Sequence, residues 1–136
     1  MTPLPAELGE RYNRLIAGLL SFQQPDGLWS TVMDRPDFYR EISGSAGIGY
    51  GVWKAHEVGL LTGNKAEDDE ASERALQAVL RHITEDGVVE GVSGGTPVME
   101  SIEAYNRIPI YPAQYGQGLV LMLLSEALLR KGAPHE

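Results

Sequence analysis

The sequence predicts an all-α chain built from helical hairpins, arranged as a piece of an α/α toroid. Three observations carry this reading. Apolar residues recur at helical spacing in four stretches. The order helix, Asp-Gly turn, short extended piece, long loop and Gly-opened apolar helix occurs twice. Half-exposed helices alternate with apolar ones, and both long loops run in the same direction. That is the grammar of outer and inner helix rings whose outer-to-inner loops gather on one rim. Two such units make part of a ring, about four main helices with short extended pieces.

The first helix is predicted from about Ala6 to Gln23. Leu8, Tyr12, Leu15, Ile16, Leu19 and Leu20 recur at threes and fours, while Glu10, Arg11 and Arg14 lie elsewhere. Pro25 and Gly27 end it. Trp29 to Met33 is a short extended piece in a loop that reaches Phe38. Ser43 is placed to cap a second helix, Gly44 to Gly59, whose first turns hold Gly44, Ser45, Ala46, Gly47, Gly49 and Gly51. Residues this small let another helix, or a ligand, approach the backbone closely. The helix is apolar nearly all round, so it should be buried. A turn ends at Asn64, which with Glu67 has capping-box spacing. The third helix runs to about Ile83 on a stripe of Leu76, Val79, Leu80 and Ile83. Asp86-Gly87 then turns into a second extended piece, Val88 to Val92, which can pair with the first. The loop from Ser93 to Ala113 is longer than the usual connection and is therefore a functional suspect. Gln114 to Gly118 open the fourth helix, Leu119 to Leu129.

With 136 residues, the chain is expected to form a single domain, residues 1–136. A formal net charge of −8 argues against nucleic acid or an anionic membrane surface as partner. The acid is concentrated in Glu67-Asp68-Asp69-Glu70, expected to be a solvated helix start. There are no cysteines, so disulfides and thiolate chemistry are excluded, and a cytoplasmic setting fits. Glu7, Glu10, Arg11 and Arg14 interrupt the first apolar segment, unlike a signal peptide. No apolar run is long enough to span a membrane.

An ordered set of motifs runs through nearly the whole chain, from about residue 10 to 130. It comprises Gln23-Gln24-Pro25-Asp26-Gly27-Leu28-Trp29 with Val32 and Asp34, then Tyr39-Arg40-Glu41-Ile42-Ser43-Gly44-Ser45-Ala46. Asp86 to Val92 follow with Gly95-Thr96, then Tyr105, Arg107-Ile108-Pro109 and Tyr115-Gly116-Gln117-Gly118. Each motif is weak alone. In this order and spacing they resemble the unsaturated rhamnogalacturonyl hydrolases of glycoside hydrolase family 105 and, more distantly, the unsaturated glucuronyl hydrolases of family 88.

The resemblance implies a six-hairpin α/α toroid of which this chain matches the last third. It implies a reaction unlike two-carboxylate glycoside hydrolysis. An acid protonates the vinyl ether of a 4,5-unsaturated uronic acid and water adds at the adjacent carbon. The resulting hemiketal opens and releases the neighbouring sugar. No metal or organic cofactor is needed. The family's general acid, an aspartate on an earlier hairpin, has no counterpart in these residues, so no catalytic residue is assigned.

Eight residues are substrate-contact candidates. Trp29 on the rim loop can stack on a sugar or cap the core. Glu41 can bind a sugar hydroxyl, but an interaction with nearby amides at the helix start is preferred. Ser43 is an N-cap first and a ligand contact second. Ser45 lies one turn in and can face a cleft. Thr96 follows Gly94-Gly95, where backbone can approach a ligand. Tyr105 and Tyr115 are rim candidates. Arg107 is the cation a carboxylate-bearing substrate wants, but a loop-bracing salt bridge is preferred. Asp26 and Asp86 read as Asp-Gly turn residues. His56 reads as a partly buried structural histidine, and neither His82 nor His135 has metal-ligand spacing.

Two function classes follow. The first is the C-terminal portion of a hydrolase acting on oligosaccharides with an unsaturated uronic acid, contributing cleft walls but not the acid. The second is a noncatalytic helical module that self-associates or binds a partner or saccharide. Either way the open ring edge calls for cover, from a second copy in a homodimer or from the missing N-terminal hairpins.

Overall fold

A computed structural model describes residues 5–132; His135 lies outside them. The chain forms α1 (Ala6–Ser21), α2 (Ile42–Glu57), α3 (Lys65–Leu80), the single-turn α4 (Ile102–Tyr105) and α5 (Gln114–Gly132). The expected all-α hairpin architecture is what the structure has: α1 with α2, then α3 with α5. Isolated antiparallel bridges at Ser30–Arg40, Ile83–Val89 and Ser93–Ile110 are the only β pairing among the described residues.

The internal repeat is visible in the backbone hydrogen bonds. After α1, Gln24 N donates to Leu28 O and Gly27 N to Gln24 O; after α3, Thr84 N donates to Val88 O and Gly87 N to Thr84 O. Gly27 and Gly87 both adopt positive φ, which a residue with a Cβ rarely does. In the first turn the Asp26 carboxylate also accepts from Leu28 N at 3.0 Å, so Asp26 is a turn residue. The two extended pieces do not pair with each other. Each instead bridges within its own unit, because each loop doubles back on itself.

Helix starts depart from expectation in two places. Glu41, not Ser43, is the N-cap of α2: its carboxylate accepts from Gly44 N at 2.5 Å, and the helix begins at Ile42. The long second loop also contains α4, capped by Ser101 through Ala104 N. At α3 the cap is as expected, with Asn64 accepting from Ala66 N.

α2 is the central element. One of its faces, with Ala46 and Trp53, packs against Leu76 and Val79 of α3 and Val120 and Leu123 of α5. Its other face, with Val52 and Ala55, packs against Ile16 of α1 and Leu61. A Cβ at Gly49 would stand 3.3 Å from Ala75 Cβ and 3.4 Å from Leu123 Cδ1, so the absent side chain sets how closely all three helices approach.

Two buried polar links join the helices. The run Glu67 to Glu70 is not uniformly solvated. Asp68 is only 8% exposed, and its carboxylate lies 2.7 Å from Nε2 of His56 on α2. His56 thus has a partner that sequence spacing did not reveal. Glu126 of α5, 5% exposed, pairs with Lys54 of α2 at 3.1 Å. Lys54 also donates to Glu57, and these carboxylates raise its ammonium pKa above the ordinary value, Glu57 most.

Burial is one-sided at both ends of the chain. α5 buries Val120, Leu123 and Ala127 but leaves Leu121, Met122, Leu128 and Leu129 exposed, Leu128 by 72%. In α1, Leu8 and Leu15 are also exposed.

The glycines of α5 give a matched test. A Cβ at Gly116 would lie 2.5 Å from Cγ2 and 2.8 Å from Cγ1 of the fully buried Val92, whereas a Cβ at Gly118 meets nothing within 4 Å. Gly116→Ala is expected to destabilise the fold by about 1–3 kcal/mol through overpacking. Gly118→Ala should instead be neutral or stabilise by up to about 1 kcal/mol through helix propensity. Urea unfolding of the two variants checks this.

Candidate functional site

The N-terminal ends of α2 and α5 and the loops that precede them enclose a cleft of about 380 Å³. Six of the eight sequence candidates line it: Trp29, Glu41, Ser43, Ser45, Thr96 and Tyr115. Ser30, Thr31, Met33, Gly44, Ile48, Ser93, Gly95 and Leu119 complete the lining.

Glu41 is the hub of this arrangement. One carboxylate oxygen accepts from Ser43 Oγ at 2.8 Å and from Ser93 N at 3.0 Å. The other accepts from Gly44 N at 2.5 Å and lies 2.9 Å from Ser43 Oγ. A single side chain therefore caps α2 and anchors the second long loop. Ser93 is held from its other side as well, since Tyr115 Oη donates to its carbonyl. The adjacent backbone bond from Ile42 N to Gly91 O, 3.1 Å, makes a second tie between the two units.

The floor of the cleft is just as fully bonded. Ser45 Oγ donates to Glu41 O at 2.8 Å and accepts from Trp29 N at 3.0 Å. Trp29 Nε1 donates to Leu19 O at 2.6 Å, and the residue is only 1% exposed. Trp29 is thus a core cap under the cleft, and its ring offers no stacking face. Ser43 is fixed by the Glu41 carboxylate and is not the N-cap. The hydroxyl of Thr96 has a looser partner, Ser93 Oγ at 3.5 Å, and Thr96 is exposed.

Tyr105 and Arg107 are not brought to this cleft. Tyr105 Oη accepts from Met99 N at 3.3 Å, bracing its own loop. Arg107 lies 3.4 Å from Glu100, with both side chains mostly exposed. Of the two roles weighed for Arg107, the loop-bracing salt bridge is the one this pair makes. The loop that contains them reaches back to the first unit elsewhere: Asn106 Oδ1 accepts from Tyr39 N at 2.9 Å, and Arg35 bridges Asp37 and Glu103 at 3.2 Å each. Hydrogen bonding to Arg35 holds the Asp37 carboxyl below its ordinary pKa.

Sequence reasoning missed Arg40, quoted above only within a motif. Its guanidinium donates to Asp26 Oδ2 at 2.8 Å, to Ser30 Oγ and Pro36 O at 2.9 Å, and to Phe38 O at 3.1 Å. It stiffens the first loop behind the cleft. Ile48 and Leu119 could have been found by helical spacing, one turn beyond Ser45 and Tyr115 respectively. Ser93 carried no such mark, because its role rests on backbone groups that any residue type has.

Among the described residues no three His, Cys, Asp or Glu side chains are grouped to hold a metal ion. No helix among them is long and apolar enough to cross a membrane.

The profile of Glycosyl Hydrolase Family 88 matches residues 3–131. The chain belongs to glycosyl hydrolase family 88. Within this family-88 chain, 117 residues are 37% identical to the unsaturated rhamnogalacturonyl hydrolase YesR of Bacillus subtilis, covering 85% of the chain and 31% of that protein. Protein Atu3128 of Agrobacterium fabrum is 33% identical, covering 91% of the chain and 61% of its own length. A solved structure described as a possible GH105 family member from Salmonella enterica superposes with a TM-score of 0.85 at 31% identity, over 92% of the chain and 32% of that structure. The chain thus spans about a third of YesR and of this structure. The helical hairpins described above are a partial module of the α/α toroid of these relatives.

The Ser45 hydroxyl is where cleft and core meet. Ser45→Ala leaves the buried Trp29 N–H without its acceptor and is expected to cost about 1–3 kcal/mol. Chemical denaturation checks the loss, and hydrogen exchange should show it concentrated at the Trp29 amide.

Proposed function

We propose that this chain forms the C-terminal part of the saccharide cleft in a hydrolase of oligosaccharides ending in a 4,5-unsaturated uronic acid, and that the general acid comes from outside it. The observation that carries this is the state of the cleft's one carboxylate. Both oxygens of Glu41 already accept hydrogen bonds, from Ser43 Oγ, Ser93 N and Gly44 N, so Glu41 is committed to architecture. A general acid needs an oxygen turned toward the vinyl ether with a proton to give. The coverage of 31% of YesR leaves ample relative length in which such a residue can lie. No metal or organic cofactor enters the proposed reaction. A cysteine-free chain fits the reducing cytoplasm, the compartment proposed for it.

Purified protein incubated with an unsaturated uronyl disaccharide is expected to leave the conjugated ultraviolet absorbance unchanged. A missing general acid alone removes about 10²–10⁴-fold in rate. Turnover at an ordinary enzyme rate, abolished by substituting a residue of this chain, would overturn the assignment.

A second reading, a noncatalytic module that self-associates, is favoured by one observation. Leu121, Leu128 and Leu129 on α5 and Leu8 and Leu15 on α1 leave apolar surface open at both terminal helices. At about 25 cal/mol per Å² of apolar area removed from water, such faces drive association, and a twofold homodimer closes on itself. Light scattering at micromolar concentration is expected to give a dimer mass. A monomer mass, with unfolding independent of concentration, would count against it.

A further inference from the structure

α5 is apolar on two opposite sides and covered on one. Val120, Leu123 and Ala127 are buried, while Leu121, Met122, Leu128 and Leu129 are between 44% and 72% exposed. A helix apolar all round calls for cover on every side. The exposed face reads Gly118, Leu121-Met122, Ser125, Leu128-Leu129, Gly132, a single stripe at threes and fours without a charged side chain. Gly118, Ser125 and Gly132 recur every seven residues along its middle, with Leu121 and Leu128 on one side and Met122 and Leu129 on the other. Seven is the period that keeps a seam between two supercoiled helices. A Cβ at Gly118 would meet nothing within 4 Å, so that glycine makes room for nothing inside the chain. It leaves room for a partner's backbone instead. The stripe also reads the same from either end. Turned end over end about Ser125, a second copy brings its Leu128-Leu129 level with Leu121-Met122, and its Gly132 level with Gly118. α1 offers no such face: Arg11, paired with Glu7, lies between the exposed Leu8 and Leu15 on the same side of that helix.

We propose that this face pairs with a second copy of the chain, the two α5 helices running antiparallel with the twofold axis beside Ser125. This pairing rests on the self-associating reading above, and adds which helix is used and in which direction. Across a twofold axis every substitution enters the contact twice. Leu128→Glu puts two unpaired carboxylates into an apolar seam and is expected to weaken the dimer at least about a hundredfold. Light scattering at micromolar concentration should then give a monomer mass, with helical circular dichroism retained, because Leu128 is exposed in its own chain. Leu15→Glu on α1 should leave the dimer mass unchanged. Cross-linking reads the direction, since the chain has no cysteine of its own. In the antiparallel pair Leu121 lies beside the partner's Leu128, so a mixture of Leu121→Cys and Leu128→Cys proteins should form a disulfide-linked dimer. Either variant alone holds its two Cα atoms about 9–12 Å apart along the helices, at 1.5 Å per residue. A disulfide spans no more than about 7 Å between Cα atoms, so each alone should cross-link poorly. A dimer that survives Leu128→Glu would overturn the pairing and leave self-association standing. Cross-linking of either single variant ahead of the mixture would do the same. A monomer mass for the unsubstituted chain would overturn both.

Discussion

The tie between the Glu41 carboxylate and the Ser93 backbone is the contact on which the rest of the cleft depends. Below the rim the two helical hairpins are joined by packing along α2, α3 and α5 and by the His56–Asp68 and Lys54–Glu126 links. At the rim, two long loops need to be held in register over a gap, and packing cannot do it, because loop backbone is polar. A charged acceptor shared by a helix N-terminus and a loop amide can. Hydrogen bonds to a charged group are worth about 1.5–3 kcal/mol each, and this side chain accepts from Ser43, Gly44 and Ser93. Tyr115 and Ile42 reinforce the tie from both sides. The same commitment removes Glu41 from the list of groups available for proton transfer.

Below the rim the geometry is set by what is missing. Gly49 and Gly116 stand where a methyl group would press on neighbouring side chains. Their absence brings α2 against α3 and α5, and the start of α5 against Val92. Gly49 and Gly116 are therefore packing devices first. An open cleft remains only because the loops above are held apart, while Trp29 seals its floor against the core.

The exposed leucines of α1 and α5 sit on the first and last long helices, the two ends of the hairpin array. Interior elements bury their apolar faces on both sides, as α2 does. A curved array of hairpins buries each helix against its neighbours, so uncovered faces belong at its ends. Relatives about three times as long have further chain with which to continue such an array.

Helical periodicity, Asp-Gly turns and the order of elements determined the hairpin architecture from sequence alone. These are local properties: side-chain spacing, positive φ at Gly27 and Gly87, and an Asn cap all act within a few residues. Most of the cleft was legible for the same reason, since its lining clusters at two repeated helix starts. What sequence left open was every pairing between residues distant in the chain. Whether Trp29 stacked on a ligand or capped the core was decided by Leu19 and Ser45. The partner of His56 was one acid in a run that looked uniformly solvated. The choice between Glu41 and Ser43 as cap turned on Ser93, fifty residues away, because the longer side chain alone reaches both the helix amide and the second loop. Arg107 looked like a cleft residue by its place in a motif. Tertiary structure set it beside Glu100, because a long loop with its own helical turn carries its middle away from the helix ends it connects.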